Sequence, residues 1–162
     1  MTDDFEQIVL RLVAEEVRFV VVGGMAAISH GSATVTQDLD ICYERSKGNL
    51  ERLSKVLIGL HATLRGAPKG LPFKPDAATL EAGLNFTFDT SAGAFDVLGE
   101  MAGLGGYPDI ASRAVQGDLL GSRVLILDLD DLIRAKKVAG RPKDKLHLLE
   151  LEDLRRLKRK RS

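Results

Sequence analysis

The 162-residue chain is 44% hydrophobic and 28% charged, the balance of one soluble domain, and its single cysteine, Cys42, excludes a disulfide framework or a Cys-rich zinc site. An acidic start, MTDDFEQ, and the lack of any apolar run near the ~18 residues of a membrane span lead to the expectation of a cytoplasmic protein with no membrane partner. The 23 Lys and Arg cancel 23 Asp and Glu, a balance that speaks at first against a dedicated nucleic-acid binder. The balance hides a gradient: residues 1–133 hold 11 basic and 19 acidic groups, and residues 134–162 hold 12 and 4, so the two parts carry −8 and +8.

Asp3 and Asp4 stand ahead of Phe5, Ile8, Val9, Leu12 and Val13, a helical face over about residues 4–15 with acids where a helix N-terminus favours them. RFVVVGG is a β-branched run stopped by Gly23 and Gly24, a buried strand that ends in a tight turn. MAAISHG predicts a short helix with its C-cap at Gly31. DLDICY alternates acid and apolar, so in a strand Asp38 and Asp40 share one face and Leu39 and Ile41 the other. Leu50, Leu53, Val56, Leu57 and Leu60 make a helical face over residues 49–60, with Asn49 as N-cap.

LRGAPKGLPFKPD reads as a loop. After AATLEAG, the alternating LNFTFDT is turned back by SAG into AFDVLG, an antiparallel hairpin at about 84–98 whose second arm carries Asp96. LGEMAGLGGYPDI reads as irregular and VLIL as a short buried strand, and DLDDLIRAKKVAG opens on acids and closes on lysine and glycine as a helix does. The last segment, KDKLHLLELEDLRRLKRK, sets Leu146, Leu149, Leu154 and Leu157 at helical spacing. These elements predict an α+β (mixed α/β) domain over residues 1–154, with a basic C-terminal tail at 155–162.

Asp38, Asp40 and Asp96 carry the chemistry. Strand interiors disfavour Asp, and three crowded carboxylates lose hydration and repel one another unless a cation offsets their charge. A hard divalent ion such as Mg²⁺ accepts one or two carboxylates together with substrate phosphates, so the pattern suits phosphoryl or nucleotidyl transfer. An unrelated Ca²⁺ or Mg²⁺ site on the acidic strand would leave Asp96 far from the other two. A triad would bring carboxylate oxygens within ~4–6 Å of one another.

The strand VVV, the pair Gly23-Gly24, thirteen intervening residues and then Asp38-Leu39-Asp40-Ile41 resemble the signature of the polymerase-β-like nucleotidyltransferase superfamily. GGMAAISHGSATVTQDLDICY, SAGAFDVLGE, the GLGGY loop and LIRAKKVAGRPKDKLHLLEL together look like small bacterial nucleotidyltransferases related to AbiEii-type toxins, over about residues 20 to 151. The resemblance implies a nucleotidyltransferase-type mixed sheet flanked by helices. It implies metal binding by Asp38 and Asp40, with Asp96 completing the triad and activating the attacking hydroxyl. Mg²⁺ or Mn²⁺ would be the cofactor and a nucleoside triphosphate, ATP included, the co-substrate. Gly23 and Gly24 would let the backbone approach the nucleotide, and Lys136, Arg141 and Lys143 would hold its phosphates. Thr34 stands where many relatives carry an arginine, so no phosphate contact is carried over from that loop.

His30 lies between the glycines and Asp38, where a substrate contact is one reading. His61 and His147 read as surface or boundary residues, and Cys42 as a buried, inert thiol. The basic tail Arg155, Arg156, Lys158, Arg159, Lys160 and Arg161 reads as a solvated helix end, with no aromatic residues interleaved for base stacking. Two functions follow: nucleotidyl transfer to a hydroxyl of RNA, protein or a small molecule, as a toxin–antitoxin component in one version, or a non-catalytic module that binds a cognate partner protein.

Overall fold

A computed structural model describes residues 2–68 and 70–161, without the side chains of Thr2 and Asp3. The side chain of Asp3, one of the acids expected to favour the helix N-terminus, falls outside the described residues, as do Lys69 of the predicted loop and Ser162 of the tail.

The elements run α1 (Thr2–Ala14), β1 (Phe19–Val22), α2 (Gly23–Ser29), β2 (Asp38–Tyr43), α3 (Lys47–Gly59), β3 (Thr63–Leu64), α4 (Ala77–Ala82), β4 (Asn85–Thr90) and β5 (Gly93–Leu98). They continue with β6 (Glu100–Met101), β7 (Gly105–Gly106), α5 (Tyr107–Arg113), β8 (Val115–Leu119), β9 (Ser122–Ile126), α6 (Leu129–Ala139) and α7 (Pro142–Arg161). Seven strands form one mixed sheet in the order β3-β4-β5-β2-β1-β9-β8, and β6 and β7 form a separate small ribbon. The pairs β2–β5 and β1–β9 are parallel; β1–β2, β3–β4, β4–β5 and β8–β9 are antiparallel. This is the α+β, mixed-sheet architecture expected, with the hairpin at β4–β5.

Burial follows the alternation read from DLDICY. Leu39 and Ile41 are fully buried, as are Ile8 and Leu12 of α1 and Leu53 and Leu57 of α3, while Asp38 and Asp40 are half-buried on the opposite face. Fully burying such side chains stabilises a fold by about 1.5–3 kcal/mol each. Register then positions the acids. Across the parallel pair Asp40 lies opposite Asp96, and across the antiparallel pair Val22 lies opposite Asp40. The chain therefore enters α2 beside Asp40.

Several elements depart from the sequence expectation for identifiable reasons. The glycine pair is not a turn ahead of a helix: Gly23, at φ +66°, and Gly24 are the first residues of α2. Asn49 is not the cap of α3, since Ser46 accepts the Asn49 amide, which leaves the Asn49 side chain buried. Its Oδ1 accepts from the Arg18 amide and its Nδ2 donates to the Arg18 and Glu44 carbonyls, tying β1 to the end of β2. The stretch read as irregular holds α5, begun at Tyr107-Pro108 where a fixed φ costs nothing, and the LRG loop starts one residue late because Leu64 belongs to β3.

On α7 the leucines at 146, 149 and 157 are 79%, 60% and 53% exposed, whereas Leu151 is fully buried and Leu148 and Leu154 pack against the core. Of the four leucines whose spacing stood out in the sequence, Leu154 alone lies on the face that α7 buries. The helix continues through the basic segment to Arg161, where Arg155 pairs with Asp130 and Arg156 with Asp153. Among the described residues no helix is long and apolar enough to cross a membrane.

Candidate active site

Asp38, Asp40 and Asp96 each offer one carboxylate oxygen, and these atoms all lie within 4.8 Å of one another. An unrelated metal site on β2 alone would not gather Asp96. Asp40 is the innermost of the three, and its Oδ1 is buried with no hydrogen-bond partner. Burial pushes its carboxyl up to about 7, and the charges of Asp96 and Asp38 push the same way. Asp96 is also raised, by burial first, against the opposing pull of Arg65. An orphaned oxygen in a cluster of three carboxylates suits a hard divalent cation, which would satisfy that oxygen and offset the repulsion.

The glycines serve this cluster directly. A Cβ on Gly23 would collide with Asp40 Oδ2, and one on Gly24 would stand 2.6 Å from Thr36 Oγ1. Only glycine lets the head of α2 run this close to Asp40 and the strand entry. Thr36 in turn donates through Oγ1 to the Asp38 carbonyl at 3.0 Å, holding the approach to β2.

A cleft of about 940 Å³ opens over the triad, between the 33–37 segment and α7, with Lys136, Arg141 and Lys143 on its wall. Lys136 and Arg141 both reach Asp144. Lys136 Nζ lies 3.1 Å from Oδ1, and Arg141 donates from Nε to Oδ2 at 2.7 Å and from Nη2 to Oδ1 at 3.2 Å. The Arg141 hydrogen bond, with Lys136 adding to it, holds the Asp144 carboxyl down at about 2. One carboxylate thus fixes two cations at the junction of α6 and α7. The pairing of two cations with one carboxylate leaves one positive charge over at this junction.

Three further residues shape the site without having stood out in the sequence. Arg65, just after β3, donates from Nη2 to Asp96 Oδ1 at 2.8 Å and to the Phe88 carbonyl at 2.7 Å. Glu150 of α7 accepts from Ser32 Oγ at 2.6 Å and from the Ala33 amide at 3.0 Å, fastening α7 to the segment that leads into β2. His147, read as a surface or boundary residue, lines the cleft, and burial lowers its pKa. No local motif marks these three, because each acts through a partner at least a strand away or on another wall of the cleft. His30 does not line the cleft: Nε2 donates to the Leu127 carbonyl at 2.8 Å and Nδ1 meets Lys158 Nζ at 2.5 Å. Cys42 is buried, and burial pushes its thiol up to about 12, the inert state expected.

The mixed sheet thus sets the glycine pair that opens α2 beside the acid pair on β2, with the third acid on the parallel neighbour. Two solved structures share this fold. The antibiotic-resistance factor ANT(2'')-Ia superposes with a TM-score of 0.56 at 13% identity, over 99% of this chain and 91% of that one. The lincosamide antibiotic adenylyltransferase LnuA, solved with lincomycin bound, superposes with a TM-score of 0.60 at 11% identity, over 95% of this chain and 98% of that one. At these identities the likeness is one of fold. No protein-family model and no curated protein matches the sequence.

Proposed function

We propose that the protein is a divalent-cation-dependent nucleotidyltransferase that moves a nucleoside monophosphate from a nucleoside triphosphate to a hydroxyl of a small molecule. The observation that carries this reading is the convergence of Asp38, Asp40 and Asp96, with a buried, unbonded Asp40 oxygen, at the base of a cleft whose wall is cationic. Asp38 and Asp40 would hold Mg²⁺ or Mn²⁺, and such an ion supplies charge stabilisation to the phosphoryl oxygens when bound.

The protein's own groups account for the remainder of the reaction. The acceptor oxygen forms a bond to the α-phosphorus as the bond to the β-bridging oxygen breaks, and that electron pair leaves on pyrophosphate. Asp96, whose carboxyl is raised by burial against the pull of Arg65, takes the acceptor proton. Lys136 and Arg141, held by Asp144, and Lys143 take the charge of the β- and γ-phosphates. Gly23 and Gly24 keep the head of α2 low enough for the triphosphate to lie against it.

The small-molecule acceptor is favoured over RNA or protein by three observations. The cleft lies within the ~300–1,000 Å³ of small-molecule sites, and among the described residues no Phe, Tyr or Trp lines it to stack bases. The solved neighbours are an antibiotic-resistance factor and an antibiotic adenylyltransferase. A toxin of the AbiEii kind, acting on RNA or protein with a cognate partner, is the competing version of the same chemistry.

Incubation with each nucleoside triphosphate, Mg²⁺ and a panel of hydroxylated small molecules that includes antibiotics tests the acceptor. Mass spectrometry should find the gain of one nucleoside monophosphate on a panel member, with pyrophosphate released. Modification confined to RNA or protein in a cell extract would instead establish the toxin-like version.

A further inference from the structure

A second pocket, of about 440 Å³, adjoins the catalytic cleft. It shares Gly24, Asp40, Lys136 and Arg141 with the larger space, but neither Asp38 nor Asp96 lines it. Away from those shared residues the wall is mostly apolar: Leu98 at the end of β5, Met101 in the β6–β7 ribbon, and Leu132, Ala135 and Val138 along α6. The ribbon closes against α6 because Gly103, at φ +81°, brings its backbone to a spot where a Cβ would stand 2.7 Å from Val138. Asn85 accepts the Gly99 amide through Oδ1 at 2.9 Å, which leaves its amide NH₂ as a donor at the wall, and Glu100 adds an acceptor.

We infer that this pocket receives the nucleoside of the triphosphate and that the acceptor enters through the larger cleft. The inference rests on the nucleotidyl-transfer reading and divides that site between its two substrates. The attacking hydroxyl must reach Asp96, and Asp96 lines only the larger cleft. The leaving pyrophosphate must lie away from the attacking oxygen, on the side where Gly24, Lys136 and Arg141 meet. The nucleoside hangs from the same α-phosphate, so it needs space contiguous with Asp40 and clear of the acceptor's path. The small pocket meets that condition. Its make-up of apolar walls with a few polar groups is what a heterocycle on a sugar requires.

Calorimetry on the full chain with Mg²⁺ tests the division, using two probes: the four nucleoside 5′-(α,β-methylene)triphosphates, taken singly, and inorganic tripolyphosphate. Ala102 and Ala139 are exposed at the pocket mouth, so Ala102→Trp and Ala139→Trp fill it without touching the core or the triad. Each should weaken the best nucleotide analogue by about tenfold or more, towards the affinity for tripolyphosphate. Tripolyphosphate binding itself should be unchanged, which also certifies the fold of each variant. Leu146→Trp, at the rim of the larger cleft, should leave both probes unaffected. The division is overturned if the pocket-filling variants bind the analogue like wild type, or if Leu146→Trp is the variant that weakens it. Should wild type bind neither probe, the nucleotidyl-transfer reading itself fails and takes this inference with it.

Discussion

Arg65 donates from Nη2 to Asp96 Oδ1 at 2.8 Å, and the same nitrogen reaches the Phe88 carbonyl at 2.7 Å while Nε meets Asp89 at 3.2 Å. One side chain from the far side of the sheet therefore holds the third carboxylate in place. This pair sets a positive charge against Asp96 where it faces Asp38 and Asp40. The guanidinium fork fixes direction as well as charge, and a lysine would supply only the second.

Replacing Arg65 should separate catalysis from nucleotide binding. In Arg65→Gln we expect kcat to fall by roughly 10- to 100-fold, the scale of a misplaced reacting group, with KM for the nucleotide within about threefold of wild type. Arg65→Lys should recover part of kcat. Steady-state kinetics checks this, and equal losses in all parameters for both variants would point to a structural role alone.

Asp40 makes the metal-free protein sensitive to pH. Its carboxyl stands near 7 in the folded chain against ~3.9 unfolded, so between these values the native state binds the extra proton and stability falls as pH rises. In EDTA, Asp40→Asn should therefore melt several degrees above wild type at pH 8, and the gap should shrink at pH 5. Added Mg²⁺ or Mn²⁺ should raise the wild-type Tm at pH 8 and leave the variant unmoved. Differential scanning calorimetry at the two pH values reads both effects.

Gly23→Ala tests the close approach of α2 to β2. A side chain at φ +66° costs roughly 1–2 kcal/mol in backbone strain and would displace Asp40. Metal-dependent thermal stabilisation should disappear along with activity, while Gly121→Ala, at φ +86° with only Glu6 nearby, should carry the strain and keep the activity.

Asp144 links the stability of the α6–α7 joint to the cationic wall. Its stabilising contribution is complete above the ordinary carboxylate range and is lost only as pH falls towards about 2. Asp144→Asn loosens Lys136 and Arg141, so KM for the nucleotide should rise by about tenfold with a smaller change in kcat.

Much of this arrangement was legible in the chain. Asp38, Asp40 and Asp96 could be placed on strand faces by period-two alternation, and Gly23-Gly24 at the end of a β-branched strand. The register that sets Asp40 opposite Asp96 could not be read, because parallel pairing of β2 with β5 depends on the long connection between them. Arg65 was hidden for the same reason: it sits in a Pro/Gly-rich loop and reaches Asp96 only once β3, β4 and β5 are side by side. Ser46 displaced Asn49 as the cap of α3 because a buried Asn49 satisfies three backbone groups that no local pattern reveals. On α7 the exposed leucines obscured the buried face, since leucine occurs all round the first half of that helix.

The most direct test of the catalytic claim is transfer of label from α-³²P nucleoside triphosphates to an acceptor, with Mg²⁺ present, by wild type and by Asp38→Ala, Asp40→Ala and Asp96→Ala. The account predicts a labelled product and pyrophosphate from wild type alone, both abolished by EDTA. Label transfer that persists undiminished in Asp38→Ala and Asp40→Ala would contradict it.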